Sequence, residues 1–289
     1  MAKVLITGIA GGFGKPTALA LMARGHVVAG SVRSRAGPNA GTLAELEAAG
    51  ARIVQMDVTD TGGTEAGVAE AIAALGGLDV LFNNAGIGSY GIQELMSPED
   101  MARVFDVNVT GVQRVMRAVL PHMRANGRGT VLYTSSLIGR IATPFYGTYS
   151  ASKWALEAIV ECYRTELSGF GIESCLIEPG AMPTAFFDGL VTPSDPGREA
   201  GYGDFAQVPA MSAAGLAQML DATPAQRPER IAEAVVALLD MPHGQKPFRT
   251  VVDHTGVGPE IERYNDVLHD VTRTVLTSFG IERMLDLNA

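Results

Sequence analysis

Lys3-Val4-Leu5-Ile6-Thr7-Gly8-Ile9-Ala10-Gly11-Gly12-Phe13-Gly14 opens the chain with a short apolar run, a glycine string and the start of a helical pattern. Glycine is required where backbone turns through positive φ, and where it must approach a phosphate with no Cβ in the way. The helix that begins at Phe13-Gly14 offers free N–H groups and the positive end of its dipole to an anion. A strand, a glycine loop and a helix in this order predict a dinucleotide cradle at Gly8, Gly12, Phe13 and Gly14. The plainer use of the same string is a turn that only packs helix on strand.

Outward from that loop, short apolar runs alternate with longer helical patterns. Strands are expected at Val27 to Val32, Arg52 to Met56, Val80 to Phe82, Val131 to Tyr133, Ile172 to Ile177 and Phe248 to Val252. Helices are expected between them, with Gly25, Gly50, Gly76 and Gly171 as stops. Ser97-Pro98-Glu99-Asp100 reads as a capped helix start, with proline in the first position and acids at the positive dipole end. The strand runs lack period-two alternation, as expected when both faces are covered. Strand–helix alternation of this kind predicts an α/β, single-domain Rossmann fold. Its doubly wound parallel sheet should have about seven strands, with helices on both faces. The domain should span 1–289. The aperiodic, Pro-, Gly-, Ala- and Met-rich stretch at 181–228 should be a substrate lid, and 260–279 a final helix.

Composition narrows the function. Of 289 residues, 47% are hydrophobic, which is enough for a sizeable core, and 34 are glycine. A net charge of −9 repels phosphate backbones and argues against nucleic acid as a partner. No apolar run approaches the roughly 20 residues that span a bilayer, so no membrane role and a cytoplasmic location are expected. Cys162 and Cys175 lack metal-like or CxxC spacing and are expected as two buried thiols. The five histidines do not cluster, so no metal site is expected.

The second strand bears on cofactor choice. An NAD site usually places an acid there for the ribose 2′-hydroxyl. Here the strand ends Gly30-Ser31-Val32-Arg33-Ser34-Arg35, with two arginines and no acid. A guanidinium matches a 2′-phosphate, so NADP(H) is expected, held by Arg33 and Arg35. The alternative is that both are solvated loop charges.

Three further segments complete a pattern. Asn83-Asn84-Ala85-Gly86 ends the fourth strand, Asn108 lies in Val107-Asn108-Val109-Thr110-Gly111, and Ser136 precedes Tyr149-x-x-x-Lys153 by thirteen residues. With the glycine loop, these resemble the short-chain dehydrogenase/reductase family from about residue 3 to 185. The loop also fits the Thr-Gly-x-x-Gly-x-x-Gly pattern of the family's extended branch. The Asn83-Asn84-Ala85-Gly86 segment and the Ser136–Tyr149 spacing favour the ordinary one. Tyr149 to Glu157 and Glu178-Pro179-Gly180 are similar to hydroxysteroid and retinol dehydrogenase-like members.

The resemblance implies that Asp57 and Val58 hold adenine, and that Asn84, Ala85 and Gly86 line the cofactor. It also implies that Pro179, Gly180 and Thr184 sit near the carboxamide. Asn108, Ser136, Tyr149 and Lys153 would be the catalytic set. The residue chemistry is consistent with this. Tyrosine is a weak acid–base group near pH 7, and a cation one helical turn away favours its phenolate. Ser136 would donate to the substrate oxygen, with Ser135 as the competing serine. Lys153 would also bind ribose, and Asn108 would relay protons through water, both as the resemblance implies. Tyr146 has Ser150 four residues on, not lysine.

These readings predict hydride transfer between NADP(H) and a carbonyl or secondary alcohol of a medium-sized, mostly apolar small molecule. A homodimer or homotetramer is implied by the resemblance. The competing readings are an epimerase, dehydratase or isomerase that retains its nucleotide, and a non-catalytic NADP(H)-sensing regulator.

Overall fold

The computed structural model describes residues 1–287. Seven strands form one parallel sheet in the order β3-β2-β1-β4-β5-β6-β7. They are β1 (Lys3–Thr7), β2 (Val27–Val32), β3 (Arg52–Gln55), β4 (Val80–Asn83), β5 (Gly129–Thr134), β6 (Ile172–Pro179) and β7 (Arg249–Val252). The helices are α1 (Gly14–Ala23), α2 (Ala40–Ala48), α3 (Thr61–Leu75), α4 (Pro98–Phe105), α5 (Val112–Asn126), α6 (Gly147–Glu166), α7 (Val208–Asp221), α8 (Glu229–Asp240) and α9 (Gly258–Ser278). The order reverses between β1 and β4, so the crevice at the carboxyl ends of these strands is the expected ligand position.

The sheet is covered on both faces, which explains the continuous apolar strands. One core packs Leu5, Leu81, Val131 and Leu176 against α3, α5 and α6. The other packs Val4, Ile6, Phe82 and Ile177 against α1 and α8. Every residue of β4, β5 and β6 is buried. The side-chain direction alternates along each strand, so adjacent residues such as Leu5 and Ile6 fall in different cores.

Two elements differ from the sequence reading. The long helix expected from Ser97 runs on from α4 to α5, but through a π-helical segment at Asp106–Gly111, which contains Asn108. The stretch expected to be irregular contains α7, whose Ala, Met and Leu residues favour helix without marking a clear apolar face. Cys175 is buried, but Cys162 is exposed on α6, a correction to the expectation of two buried thiols. Among the described residues, no helix is long and apolar enough to cross a membrane.

The start of α4 follows the expected chemistry. Ser97 Oγ accepts from the Asp100 N–H at 3.1 Å, and the Asp100 carboxylate accepts from the Ser97 N–H at 3.0 Å. The pair also anchors a distant loop, since Ser194 donates to both side chains. Ser97→Ala should lower the free energy of unfolding by about 1 kcal/mol in urea titration. An unchanged midpoint would show that the reciprocal cap contributes nothing.

Candidate active site

A cavity of about 1770 Å³ lies along the carboxyl ends of the strands. Single-ligand pockets run to roughly 300–1,000 Å³, so this volume suits a dinucleotide and a second molecule together.

Gly8, Gly11, Gly12 and Phe13 line the cavity at one end. Gly8 has φ +67°, open to glycine at no steric cost. A Cβ on Gly12 would stand 2.5 Å from Thr184 Cβ, so the loop and the segment after β6 touch here. Gly14 meets the loop itself. A Cβ there would stand 2.5 Å from the Gly8 carbonyl oxygen and 2.8 Å from Ile9 Cα, and Gly14 is not in the cavity wall. It packs α1 on the loop, and Thr184 likewise packs on Gly12 without lining the cavity. The sequence reading missed Thr7, whose hydroxyl accepts from the N–H groups of Asn84 and Ala85, both at 2.9 Å. Asn84 Nδ2 returns a bond to the Thr7 carbonyl at 3.0 Å. This joins the ends of β1 and β4 and sets Asn84, Ala85 and Gly86 in the wall.

Arg33 lines the same wall. Arg35 does not. Its guanidinium donates to the Ile53 carbonyl at 2.8 Å and pairs with Glu47. Asp57 and Val58 line the wall beyond β3, and the Asp57 carboxylate accepts from the Thr59 N–H at 3.0 Å. Pro179 and Gly180 line the opposite side, beside Asp253, which caps the start of α9 through the Val257 and Gly258 N–H groups.

Ser136, Tyr149 and Lys153 converge at the middle of the cavity. Ser136 follows β5 directly, and its Oγ lies 3.5 Å from the Pro179 carbonyl. Tyr149 and Lys153 sit one turn apart near the start of α6. Burial pushes the Tyr149 phenol up from its ordinary value, and a hydrogen bond with Ser136 opposes that shift. The partner is Ser136; Ser135 Oγ is buried without one. Burial pulls the Lys153 ammonium down to about 8, against the attraction of Glu157. The ammonium donates to the Thr134 carbonyl at 2.7 Å and lies 5.7 Å from the Tyr149 ring centre. The sequence reading had the ammonium as the leading influence on Tyr149; in this geometry burial outweighs it. Tyr146 instead packs edge-on against Tyr90.

Asn108 stands behind this group, outside the cavity wall. Its Oδ1 accepts from the Ile87 N–H at 2.9 Å, and its Nδ2 donates to the Ile87 carbonyl at 2.8 Å and Ser152 Oγ at 3.0 Å. Both amide hydrogens are therefore occupied. A Cβ on Gly86 would make a tight contact of 3.2 Å with Asn108 Oδ1 and an ordinary one of 3.7 Å with Lys153 Nζ. Ile141, Phe145, Phe186, Leu216 and Met219 supply an apolar wall next to Tyr149. A hydroxyl acid, a second hydroxyl donor and a cation therefore face an apolar chamber beside a phosphate cradle. That arrangement can transfer a proton to or from an oxygen held close to a dinucleotide.

Residues 2–193 match the short chain dehydrogenase family. A 3-ketodihydrosphingosine reductase of Bacteroides thetaiotaomicron is 37% identical over 201 residues, 70% of this chain and 71% of that protein. The crystal structure of a short-chain dehydrogenase from Streptomyces avermitilis superposes with a TM-score of 0.74 at 29% identity. It covers 97% of this chain and 96% of its own. A Brucella melitensis 3-ketoacyl-(acyl-carrier-protein) reductase complexed with NADH gives a TM-score of 0.69 at 26% identity, covering 86% and 96%. The chain belongs to the short-chain dehydrogenase family of oxidoreductases, and several solved structures similar to it are complexes with nicotinamide dinucleotides.

Proposed function

We propose that this protein is an NADP(H)-dependent oxidoreductase that interconverts a ketone and a secondary alcohol on a mostly apolar small molecule. The observation that carries the reading is the meeting of Ser136, Tyr149 and Lys153 in one cavity wall with the glycine loop. NADP(H) supplies or accepts the hydride when bound. The glycine loop would hold its pyrophosphate, because Gly8, Gly11 and Gly12 bring backbone without side chains to the cavity wall ahead of the α1 N-terminus. Arg33, in the wall and without an acid beside it, would pair with the 2′-phosphate; Asp57 and Val58 would flank the adenine. Asn84, Ala85, Gly86, Pro179 and Gly180 would line the rest of the groove.

In reduction, Tyr149 gives its phenolic proton to the substrate oxygen while Ser136 donates to the same oxygen as charge develops there. Lys153 keeps a positive charge near the phenol, which favours phenolate once the proton has left. Asn108 holds Ile87 and the crowded corner at Gly86. A relay through it would have to use groups other than its two occupied amide hydrogens. The stretch 181–228 acts as the substrate lid, with Phe186, Leu216 and Met219 against the apolar end of the ligand. We assign the protein to the cytoplasm and to a homo-oligomer. Support for the oligomer is an exposed apolar stripe on α9, formed by Tyr264, Val267, Val271 and Val275.

Tyr149→Phe should cut kcat for ketone reduction by about 10²–10⁴-fold, the usual contribution of a positioned acid, while NADPH binding stays close to the parent value. Full turnover in this variant would refute the assignment. Arg33→Ala should raise the Kd for NADPH by about 10–100-fold, as for loss of a charge-assisted bond of about 1.5–3 kcal/mol, and leave NADH almost untouched. Equal effects on both would refute the 2′-phosphate contact. Lys153 loses its charge as pH rises through about 8. The rate of reduction should therefore fall on the alkaline side of that value. A rate flat to pH 9.5 would show that the ammonium is dispensable.

A further inference from the structure

Behind the site lies a group of buried charges that meets the chemistry above only where Glu157 attracts Lys153. Glu178 is fully buried at the end of β6, and Glu157 is almost so on α6. Arg140 and Arg249 reach them from the turn after Ser136 and from β7. Arg249 Nε lies 3.1 Å from Glu157 Oε2 and 3.3 Å from Glu178 Oε1, and its guanidinium also pairs with Glu161 on α6. Arg140 Nη1 lies 3.5 Å from Glu157 Oε2, and its Nε donates to Asn265 Oδ1 at 3.1 Å. Asn265, on α9, donates through Nδ2 to Glu178 Oε2 at 2.6 Å. Trp154 and Tyr264 flank the Arg140 guanidinium.

The position of each member matters more than the pairing. Arg140 is four residues beyond Ser136, and Glu157 is one helical turn beyond Lys153. Glu178 directly precedes Pro179, whose carbonyl faces Ser136 Oγ. Gly139 closes the turn so tightly that a Cβ there would meet Ser135 Oγ at 2.8 Å and Lys153 Cβ at 3.2 Å. The three segments that hold the reacting groups are thus clamped by one cluster, and α9 enters that cluster only through Asn265 and the flanking Tyr264.

We propose that Glu178, clamped between Arg140 and Arg249 and tied to α9 by Asn265, is a positioning residue for Ser136 and Lys153. The proposal rests on the hydride-transfer reading above. Glu178 acts through its neighbours and touches no reacting atom. Removing its acceptor frees the Asn265 amide and takes away the oxygen that faces Arg140 and Arg249. The Ser136 turn can then shift against α6, and displacement of a reacting group by about 1 Å costs up to about 10²-fold in rate.

The cluster also carries a proton. Burial, then Glu157, push the Glu178 carboxyl well above the usual carboxylate range, against the pull of Arg249, Asn265 and Arg140. From the ordinary carboxylate range up towards neutral, the folded chain holds a proton that the unfolded chain has lost. Stability from this group therefore falls as pH rises through that window. Lys153 acts with the opposite sign and only above about pH 8, where the unfolded chain still holds the proton that the folded chain releases.

The test compares Glu178→Leu, Glu178→Gln and Asn265→Ala with the parent enzyme. For each, kcat on a ketone, Kd for NADPH and Tm between pH 5 and 7.5 are measured. Glu178→Leu and Asn265→Ala should lose about tenfold in kcat with Kd changed by less than about twofold. Glu178→Gln, which still accepts from Asn265, should recover most of that loss and flatten the fall of Tm with pH. If Glu178→Leu does not fold, Asn265→Ala and Glu178→Gln decide the matter. Parent-like kcat in the Leu and Ala variants overturns the proposal. So does a parallel loss of kcat and NADPH affinity that Gln does not recover, or a Tm slope in Glu178→Gln that superposes on the parent. Parent enzyme that turns over no ketone would instead sink the hydride-transfer reading, and the Tm slope alone would then judge Glu178.

Discussion

The site is organised around a buried ammonium. Lys153 is 4% exposed, and an unpaired cation at that depth carries a large desolvation penalty. The fold answers with the Thr134 carbonyl at the end of β5, the Tyr149 ring and the nearby Glu157 carboxylate. Each answer fixes an element. The Thr134 bond holds α6 on the strand that delivers Ser136, and Tyr149 is on the same helical face by spacing. Gly86 keeps the space beside the Asn108 amide open, where a Cβ would make a tight contact. Burial still leaves the lysine well below its usual protonation range, at about 8, charged at neutral pH and poised to lose that charge a little above it.

The same economy explains the cradle. β1 and β4 are neighbours at the point where strand order reverses, and Thr7 bridges their ends through the Asn84 and Ala85 N–H groups. The glycine loop is then braced from below by Gly14 against Gly8 and from the side by Thr184 against Gly12. The cradle and the proton-transfer group open into one cavity because both are built on carboxyl ends of parallel strands.

Legibility in the sequence followed locality. The glycine loop, the Ser97 cap and the Tyr149–Lys153 pair are short-range patterns, and each occupies the place its spacing implies. The continuous apolar strands announced a parallel sheet covered on both faces. The contacts of Arg35 were not legible, because they depend on Glu47 and on the carbonyl of Ile53, which the fold brings beside it. The π-helical segment around Asn108 is sustained by Ile87 and Ser152, residues on other segments. The α7 helix has small and apolar residues on every side, so no period marked it. The charge cluster had no local signature at all, since Arg140, Glu157, Glu178, Arg249 and Asn265 come from five separate segments. The direction of the Tyr149 shift was hidden for a related reason: desolvation is set by everything around the ring, not by the residue four positions on.

The most direct test of the account is to follow the hydride itself. Reduction of a ketone should be run with each of the two NADPH isomers deuterated at position 4, and the alcohol analysed by mass spectrometry. The account predicts deuterium at the carbinol carbon from one isomer only, since a fixed cofactor presents one face to the Tyr149 side of the cavity. Product without label from either isomer, or turnover with no net oxidation of the cofactor, would contradict it.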